Sequence, residues 1–520
     1  MRINKKLINL TNGVNDPATK PFEKLGRPDH WLLLNSGAFC GGLYFLLARL
    51  QAGAPENITE TLRHFMGLLA LLFLVTASFI RKFESVQRAA WPALFIIFGF
   101  AALFRFAFLP QTPWLSNDLY RYLWDGQLLG HGINPYAFPP AAEELSRFRD
   151  TTIYPRMDHK NVHSVYPPFL QTLFWLGHQT SRVFSLPPVV GLKIIFVLID
   201  LALVAALFYL LAQLQLDPRW AVLYAWHPLP IVEIAGSGHT DGVGALMLVL
   251  ALIFLQRRKF SVAVFFLSLG FLVKFIPILF LPFLFIAVWH ELNLPKAARA
   301  VALLALMIVA SYAPFFDAGE NLWSGLLVYS DKWRFNDGFF SLIFSAIHAL
   351  LPEALVKALM IPAGWEINET VMTTRRIDLA LLMAKTIGGG IFAFIYLRLL
   401  WHTFKSKRVE AQSWVSLFIA ILAAFFLLSP TLQPWYLLWL LPLLTLDARK
   451  ESLDRVVIPL FILSATVFLS YWVLENYLQA GLWQEPAWVK WVEYGIPLVV
   501  WLWITPKNRN PLCNFFHEQR

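Results

Sequence analysis

The sequence predicts an all-α, polytopic transmembrane protein, and three observations carry that prediction. Of the 520 residues, 58% are hydrophobic and 15% charged, against about 25% charged in a typical soluble domain, and the mean hydropathy is +0.56. The apolar residues fall in repeated runs of roughly 17–25, the length a helix needs to cross a bilayer, without the alternation of a membrane barrel. Glycine, proline and charge gather in the passages between those runs, and no stretch is left for a large soluble domain.

In chain order the expected spans cover 31–50, 62–80, 91–109, 190–214, 220–235, 240–255, 260–289, 298–315, 378–400, 412–429, 434–446, 456–474 and 487–504. With a segment at 166–184 and a pair of short apolar pieces between 338 and 363, this implies about 12–14 spans. The run 260–289 holds Lys274, Pro277 and Pro282. It predicts two half-spans meeting at a break, because proline removes a helix donor and crowds the preceding turn. The polar residues 1–30 lack the apolar core of a signal peptide, so the first span is expected to act as an uncleaved signal. The implied organisation is a cytoplasmic segment 1–30, N-terminal spans 31–109 and an outer loop 110–165. A core 166–446 with its own outer loop 317–377 follows, then C-terminal spans 447–505 and a cytoplasmic tail 506–520.

The net charge of +10 comes from short Lys and Arg clusters beside apolar runs. That is the signature of positive-inside topology and not of a nucleic-acid partner. Clusters at 81–88, 256–259, 405–408, 447–455 and 506–510 place both termini in the cytoplasm. The same threading puts 110–165, 236–241, 317–337 and 429–435 together on the outer side. It requires 166–184 not to cross fully and 260–289 to turn back at its break. Short or broken helices there would leave backbone and charge around a water-accessible cavity. The two cysteines, Cys40 and Cys513, offer no disulfide framework and no thiolate metal site.

The polar passages carry the candidate chemistry. In "NDLYRYLWDG", Asp118, Arg121, Tyr122 and Asp125 recur at i, i+3, i+4 and i+7, one face of a helix. The passage reads as an amphipathic helix on the outer membrane surface, presenting two carboxylates and a guanidinium to a cavity, or more plainly as a solvated Asp118–Arg121 salt bridge. "GHGINPYAFPP" is a helix stop followed by a turn, and "SVYPPFLQTLFW" starts a new helix with Tyr166 at its head. In "WHPLPIVEIAGSGHTDG", Glu233 lies in an apolar stretch, and a glycine turn sets His239 and Asp241 at a helix start. Exposed helix N–H groups there favour a phosphate, although Asp241 also suits a plain cap. Lys274 is the lone charge across 260–289. At bilayer depth it needs an anion or a watery cavity, since insertion costs roughly 2.5–3.5 kcal/mol. Arg334, with Lys332 and Asp337, lies on an outer loop, and Gln433, Trp435 and Tyr436 sit at a span boundary where aromatic anchors are common.

Taken in order, "NDLYRYLWDG…GINPY", "YPPFLQTLFW", "HPLPIVEIAGSGHTD", "KFIPILFLP" and "LQPWYLLWLLPL" resemble the multi-spanning GT-C glycosyltransferases. The nearest branch is the bacterial polyprenol-phosphate-mannose-dependent mannosyltransferases, with the catalytic subunit of GPI mannosyltransferase I more distant. No single motif is diagnostic; their order is, from about residue 95 to 445. The resemblance implies a bacterial inner-membrane enzyme that moves a hexose, most naturally mannose, from a polyprenyl-phosphate donor to an acceptor hydroxyl on a glycan, glycolipid or protein. Transfer would take place on the periplasmic side, with inversion. It implies Asp118 as the general base. Lys274, helped by Arg121, His239 or Arg334, would hold the phosphate, and Asp125, Asp241, Tyr166, Gln433, Trp435 and Tyr436 would stand around the donor headgroup. Some members of the family it resembles carry a paired-acid D-x-D type motif in this loop, whereas this chain reads "LSND", with Ser116 where the other acid would stand. A divalent metal therefore finds no motif support, and no other cofactor is implied. Two other classes remain: a lipid or sugar transporter, which would show internal repeats and paired charges at the membrane midplane, and a non-catalytic subunit of a transferase complex.

Overall fold

A computed structural model describes residues 28–53, 91–113, 115–332, 334–362, 365, 368–406, 411–447, 456–480 and 486–504. The expected span 62–80, most of 1–30 and the tail from 505 lie outside the described residues. The longer helices are α1 (Pro28–Gly53), α2 (Trp91–Phe108), α3 (Asp118–Gly130), α4 (Pro168–Phe184), α5 (Pro188–Gln213), α6 (Asp241–Gln256), α7 (Phe260–Phe271), α8 (Leu281–Glu291) and α9 (Leu294–Tyr312). They continue as α10 (Asn321–Lys332), α11 (Gly338–Leu350), α12 (Glu353–Met360), α13 (Glu369–Lys405), α14 (Ala411–Leu428), α15 (Leu441–Leu446), α16 (Ile458–Thr466), α17 (Trp472–Ala480) and α18 (Ala487–Ile504). Among the described residues there is no β-strand, only an isolated bridge between Phe335 and Thr431. The chain is an all-α polytopic membrane protein.

Among the described residues, five helices are long and apolar enough to cross a bilayer alone: α1, α2, α5, α9 with the turn that follows it, and α13. A sixth candidate is the pair α11 and α12, bent by 101°, which occupies the stretch expected to hold two short apolar pieces. The expectation of 12–14 spans also takes in shorter apolar helices, which have 10–17 residues among the described residues where a straight single crossing takes roughly 20, and the span 62–80, which lies outside the described residues. The helices α9 and α13 are least buried and expose apolar side chains such as Leu306 and Phe394, a surface suited to lipid and not to water.

The break expected in 260–289 is present. Helix α7 stops at Phe271, a 3₁₀ turn covers Ile276–Leu279, and α8 restarts at Leu281, with Lys274 in the gap. The expected span 220–235 is not one helix. It is a chain of short pieces, Pro218–Ala221, Val222–Ala225, Pro228–Pro230 and the π-helical Ile231–Gly236. Pro228 and Pro230 interrupt the ladder, and the His227 Nδ1 atom accepts the Leu229 N–H at 3.1 Å instead. Residues 219–249 are nonetheless buried throughout, the protein-enclosed setting that irregular backbone requires at membrane depth.

Buried polar contacts fasten this irregular segment. Tyr44 of α1 donates to the Trp226 carbonyl at 2.9 Å, and the Trp226 indole donates to the Ile97 carbonyl at 3.0 Å. Arg105 of α2 pairs with Asp200 of α5 at 2.5 Å and donates to the Ala225 carbonyl at 2.8 Å, with both side chains fully buried. Lys193 closes the end of α2 by donating to the carbonyls of Phe108 and Gln111 at 2.7 and 2.8 Å. Hydropathy reading concentrates charge at span ends and so misses the Arg105–Asp200 pair, whose members are 95 residues apart in sequence.

Helix α3 departs most from expectation. It is not a solvated surface helix: Leu119 through Gly126 and Leu128 are all buried. It lies against α4, where Tyr122 stacks on Phe174 at 4.7 Å and 6°. A Cβ at Gly126 would stand 2.3 Å from the Phe174 carbonyl oxygen, so the close crossing requires glycine there.

Candidate active site

Asp118 opens α3. Ser116 accepts the Asp118 backbone N–H on its hydroxyl at 3.2 Å. The Asp118 side chain is 40% exposed, one face open and the other packed into the protein. Burial pushes its carboxyl up to about 6, with Lys274 opposing the rise.

The other acid of α3 points elsewhere. Asp125 is fully buried and accepts from Arg121 at 2.9 Å, from the Ser164 hydroxyl at 2.6 Å and from Gln171 at 3.1 Å. Arg121 also donates to the Val162 carbonyl at 2.8 Å. The ion pair is therefore Arg121–Asp125, not Asp118–Arg121, and it ties α3 to α4 and to the loop that precedes α4. The helical period places these residues on one face, yet the packing of α4 divides that face into a closed end and an open one. Tyr166 belongs to the closed end, its ring edge-on to Tyr122 at 4.8 Å.

The glycine turn delivers its two polar residues to the open end. His239, 1% exposed, turns Nδ1 toward Asp118 Oδ2 at 3.9 Å and Nε2 toward Glu233 Oε2 at 3.5 Å. Its ring stacks on Trp435, with centroids 3.7 Å apart at 16°. Asp241, 2% exposed, receives Lys274 Nζ at 2.8 Å and the Trp439 indole N–H at 2.7 Å on the same oxygen. Lys274 lies 3.8 Å over the Tyr436 ring, whose hydroxyl is bonded to that of Tyr329. The passages 110–165, 236–241, the break at Lys274 and 429–435 thus converge on one cluster.

Arg334 sits in a neighbouring group. It pairs with Asp337, which also receives Lys490 of α18, and its guanidinium covers the Phe344 ring at 3.9 Å. This loop joins the 430–432 strip, because Phe335 donates to the Pro430 carbonyl at 3.1 Å and accepts the Leu432 N–H at 2.9 Å. Gln433 caps the following 3₁₀ turn, accepting the Tyr436 N–H at 3.0 Å on its carbonyl. Among the described residues no three His, Cys, Asp or Glu side chains stand close enough to hold a metal ion. A cavity of about 530 Å³ lined by Gln127, His131, Arg147, Phe148, Arg149 and Asp150 lies at the far end of α3. That is nine residues, about 13 Å of helix, from Asp118.

Sequence reading missed Trp439, which braces Asp241; Tyr471, which donates to Glu233 Oε1 at 2.8 Å; and the Ser164–Gln171 pair that holds Asp125. An aromatic near a span end reads as an interfacial anchor, so nothing local distinguishes Trp439 or Tyr471. Only Glu233, a lone acid in an apolar run, signals that something must pair with it.

A polytopic helical fold whose broken helices bring a half-open carboxylate and a lysine together at one cluster fits a membrane glycosyltransferase of the GT-C type, and the family matches carry that assignment. The chain belongs to the alpha-(1->6)-mannopyranosyltransferase family: that family's N-terminal domain matches residues 34–290, and the MptB C-terminal domain matches residues 364–475. It is a membrane mannosyltransferase. No curated protein matches the chain.

Proposed function

We propose that this enzyme transfers mannose from a polyprenyl-phosphate donor to a hydroxyl of a mannose-containing acceptor, forming an α-(1→6) linkage with inversion. Transfer would take place on the outer side of a bacterial plasma membrane. The family's description supports the linkage, and the positive-inside reading of the Lys and Arg clusters in the sequence supports the side. A lipid-linked donor suits a site reached from the bilayer, since its tail stays in lipid while the headgroup meets the polar cluster.

The observation that carries the reading is the pairing of Asp118, half-open at a helix start, with Lys274 at a helix break in the same cluster. Displacement at the anomeric carbon develops positive charge on the sugar and negative charge on the departing phosphate. The acceptor hydroxyl must lose a proton as it attacks. Asp118 takes that proton. Lys274, held by Asp241 and Tyr436 with 30% of its side chain exposed, stabilises the leaving polyprenyl phosphate. Arg121, committed to Asp125, serves the scaffold.

The test uses the full-length protein in nanodiscs with polyprenyl-phospho-mannose and a synthetic octyl mannoside, products being read by mass and by linkage analysis. Asp118→Asn should lower transfer by at least 10³-fold while the protein stays folded, in the range of general-base losses. Full activity in that variant would overturn the assignment.

A further inference from the structure

Resting on Asp118 as the base, a second question is what aims its carboxylate. Three buried polar atoms near it have no hydrogen-bond partner among the described residues: both ring nitrogens of His239 and Glu233 Oε2. All face one another or Asp118, at the 3.5 and 3.9 Å separations already given. The rest of Glu233 is satisfied, since Tyr471 donates to Oε1 at 2.8 Å, and its side chain is 0% exposed. Buried polar atoms are ordinarily paired, so a line of unpaired ones pointing toward a reacting carboxylate calls for a function.

The backbone fixes the line. The His239 N–H donates to the Glu233 carbonyl at 2.8 Å. Gly238 adopts φ +80°, and a Cβ there would meet Leu119, the neighbour of Asp118, at 2.6 Å. The turn is thus wedged against the first turn of α3, and stacking on Trp435 sets the plane of the ring. A neutral imidazole has one N–H, whereas two carboxylate oxygens face its two nitrogens. Satisfying both contacts takes one further proton, shared between His239 and Glu233. Whichever of the two holds it, Nδ1 carries a hydrogen toward Asp118.

We propose that His239, backed by Glu233 and Tyr471, is the positioning residue for the catalytic carboxylate: it donates Nδ1–H to Asp118 Oδ2 and leaves Oδ1 facing the acceptor hydroxyl. The gaps are longer than hydrogen bonds; the partly exposed Asp118 side chain closes its own gap by turning toward the ring when acceptor binds, as catalytic contacts tighten in the substrate complex. The proton taken from the acceptor resides on Asp118 Oδ1 and leaves to solvent or to the departing phosphate after transfer, so the chain itself undergoes no net change.

The test compares kcat, KM and the pH profile of kcat in nanodiscs with the donor and octyl mannoside above. His239→Phe keeps the stacking on Trp435 but cannot donate. It should lower kcat about 10- to 100-fold with KM within twofold. Losing a donor to the charged form raises a carboxyl's pKa, so its acid limb should move to higher pH. The other charged groups facing Asp118, namely Lys274, Asp241, Asp158 and Arg121, are unchanged in that comparison. Glu233→Gln can donate to Nε2 and still accept from Tyr471, so it should stay within about threefold of the parent kcat, whereas Glu233→Leu should fall with His239→Phe. A merely structural role would lower thermal stability and leave the pH profile of the folded enzyme in place. An unmoved acid limb in His239→Phe, or Glu233→Gln as impaired as Glu233→Leu, would overturn the proposal. If Asp118→Asn is inactive in either of those cases, only the positioning role has failed; if Asp118→Asn is active, the base itself is misassigned.

Discussion

Replacing Lys274 separates a structural charge from a functional one. Lys274 is the counter-ion of Asp241, which is 2% exposed. Lys274→Met keeps an apolar stem against Tyr436 and strands the carboxylate. Breaking a buried pair from one side costs about 3–5 kcal/mol. With Lys274 itself 30% exposed and the Trp439 indole still donating to Asp241, the lower end, about 3 kcal/mol, applies. Adding Asp241→Asn removes the stranded charge and keeps an acceptor for Trp439, so the double variant should recover to within about 1 kcal/mol of the parent, the two sites being coupled and not additive. Activity should not recover with it. If Lys274 stabilises the leaving phosphate, both variants lose about 10²- to 10³-fold in kcat, the usual effect of removing a preorganised electrostatic partner. The assay is the order of thermal unfolding midpoints in nanodiscs beside transfer rates from polyprenyl-phospho-mannose. A double variant that regains activity together with stability would refute the phosphate role and leave Lys274 as a structural counter-ion.

Asp118 makes two further predictions. A base must be ionised to work, so with its carboxyl raised to about 6 in the free enzyme kcat/KM should fall about tenfold per unit as pH drops below 6, measured as kcat/KM against pH. A folded-state carboxyl raised above its ordinary value holds its proton more tightly than the unfolded chain does. It therefore disfavours folding increasingly as pH rises from about 4 to 6, and Asp118→Asn should unfold at a higher temperature than the parent at pH 7 while being inactive. Asp125→Leu should do the reverse: it strands Arg121 and removes the acceptor of Ser164 and Gln171, costing about 3–5 kcal/mol in thermal unfolding, with transfer per folded molecule changed less than tenfold. Gly126→Ala should lose both stability, by about 1–3 kcal/mol, and rate, because its new methyl can be accommodated only by moving α3, and Asp118 with it, off the Phe174 carbonyl.

Hydropathy and punctuation in the sequence were enough for the helical membrane class, the break at Lys274 and the gathering of three polar passages around that break, 110–165, 236–241 and 429–435. These follow from local physics: an apolar run long enough to cross must be helical, and prolines and glycines stop helices wherever they stand. The order of motifs pointed to the family that the domain matches then showed. Within α3, the 3.6-residue period correctly placed Asp118, Arg121 and Asp125 along one face, but it could not say what covers that face. Only the docking of α4 made Asp125 a buried anchor and left Asp118 open.

The same limit holds for the partners. Glu233 and Tyr471 are 238 residues apart, and Asp241 and Trp439 are 198 apart. A lone buried charge announces that it needs a partner, since its desolvation must be offset. Which residue answers depends on how the broken helices pack, a property of tertiary contacts that no local pattern encodes. The chain by itself determined that charge would be brought into a membrane and where helices would yield to admit it; the tertiary structure decided which carboxylate of α3 stayed partly open and which was buried.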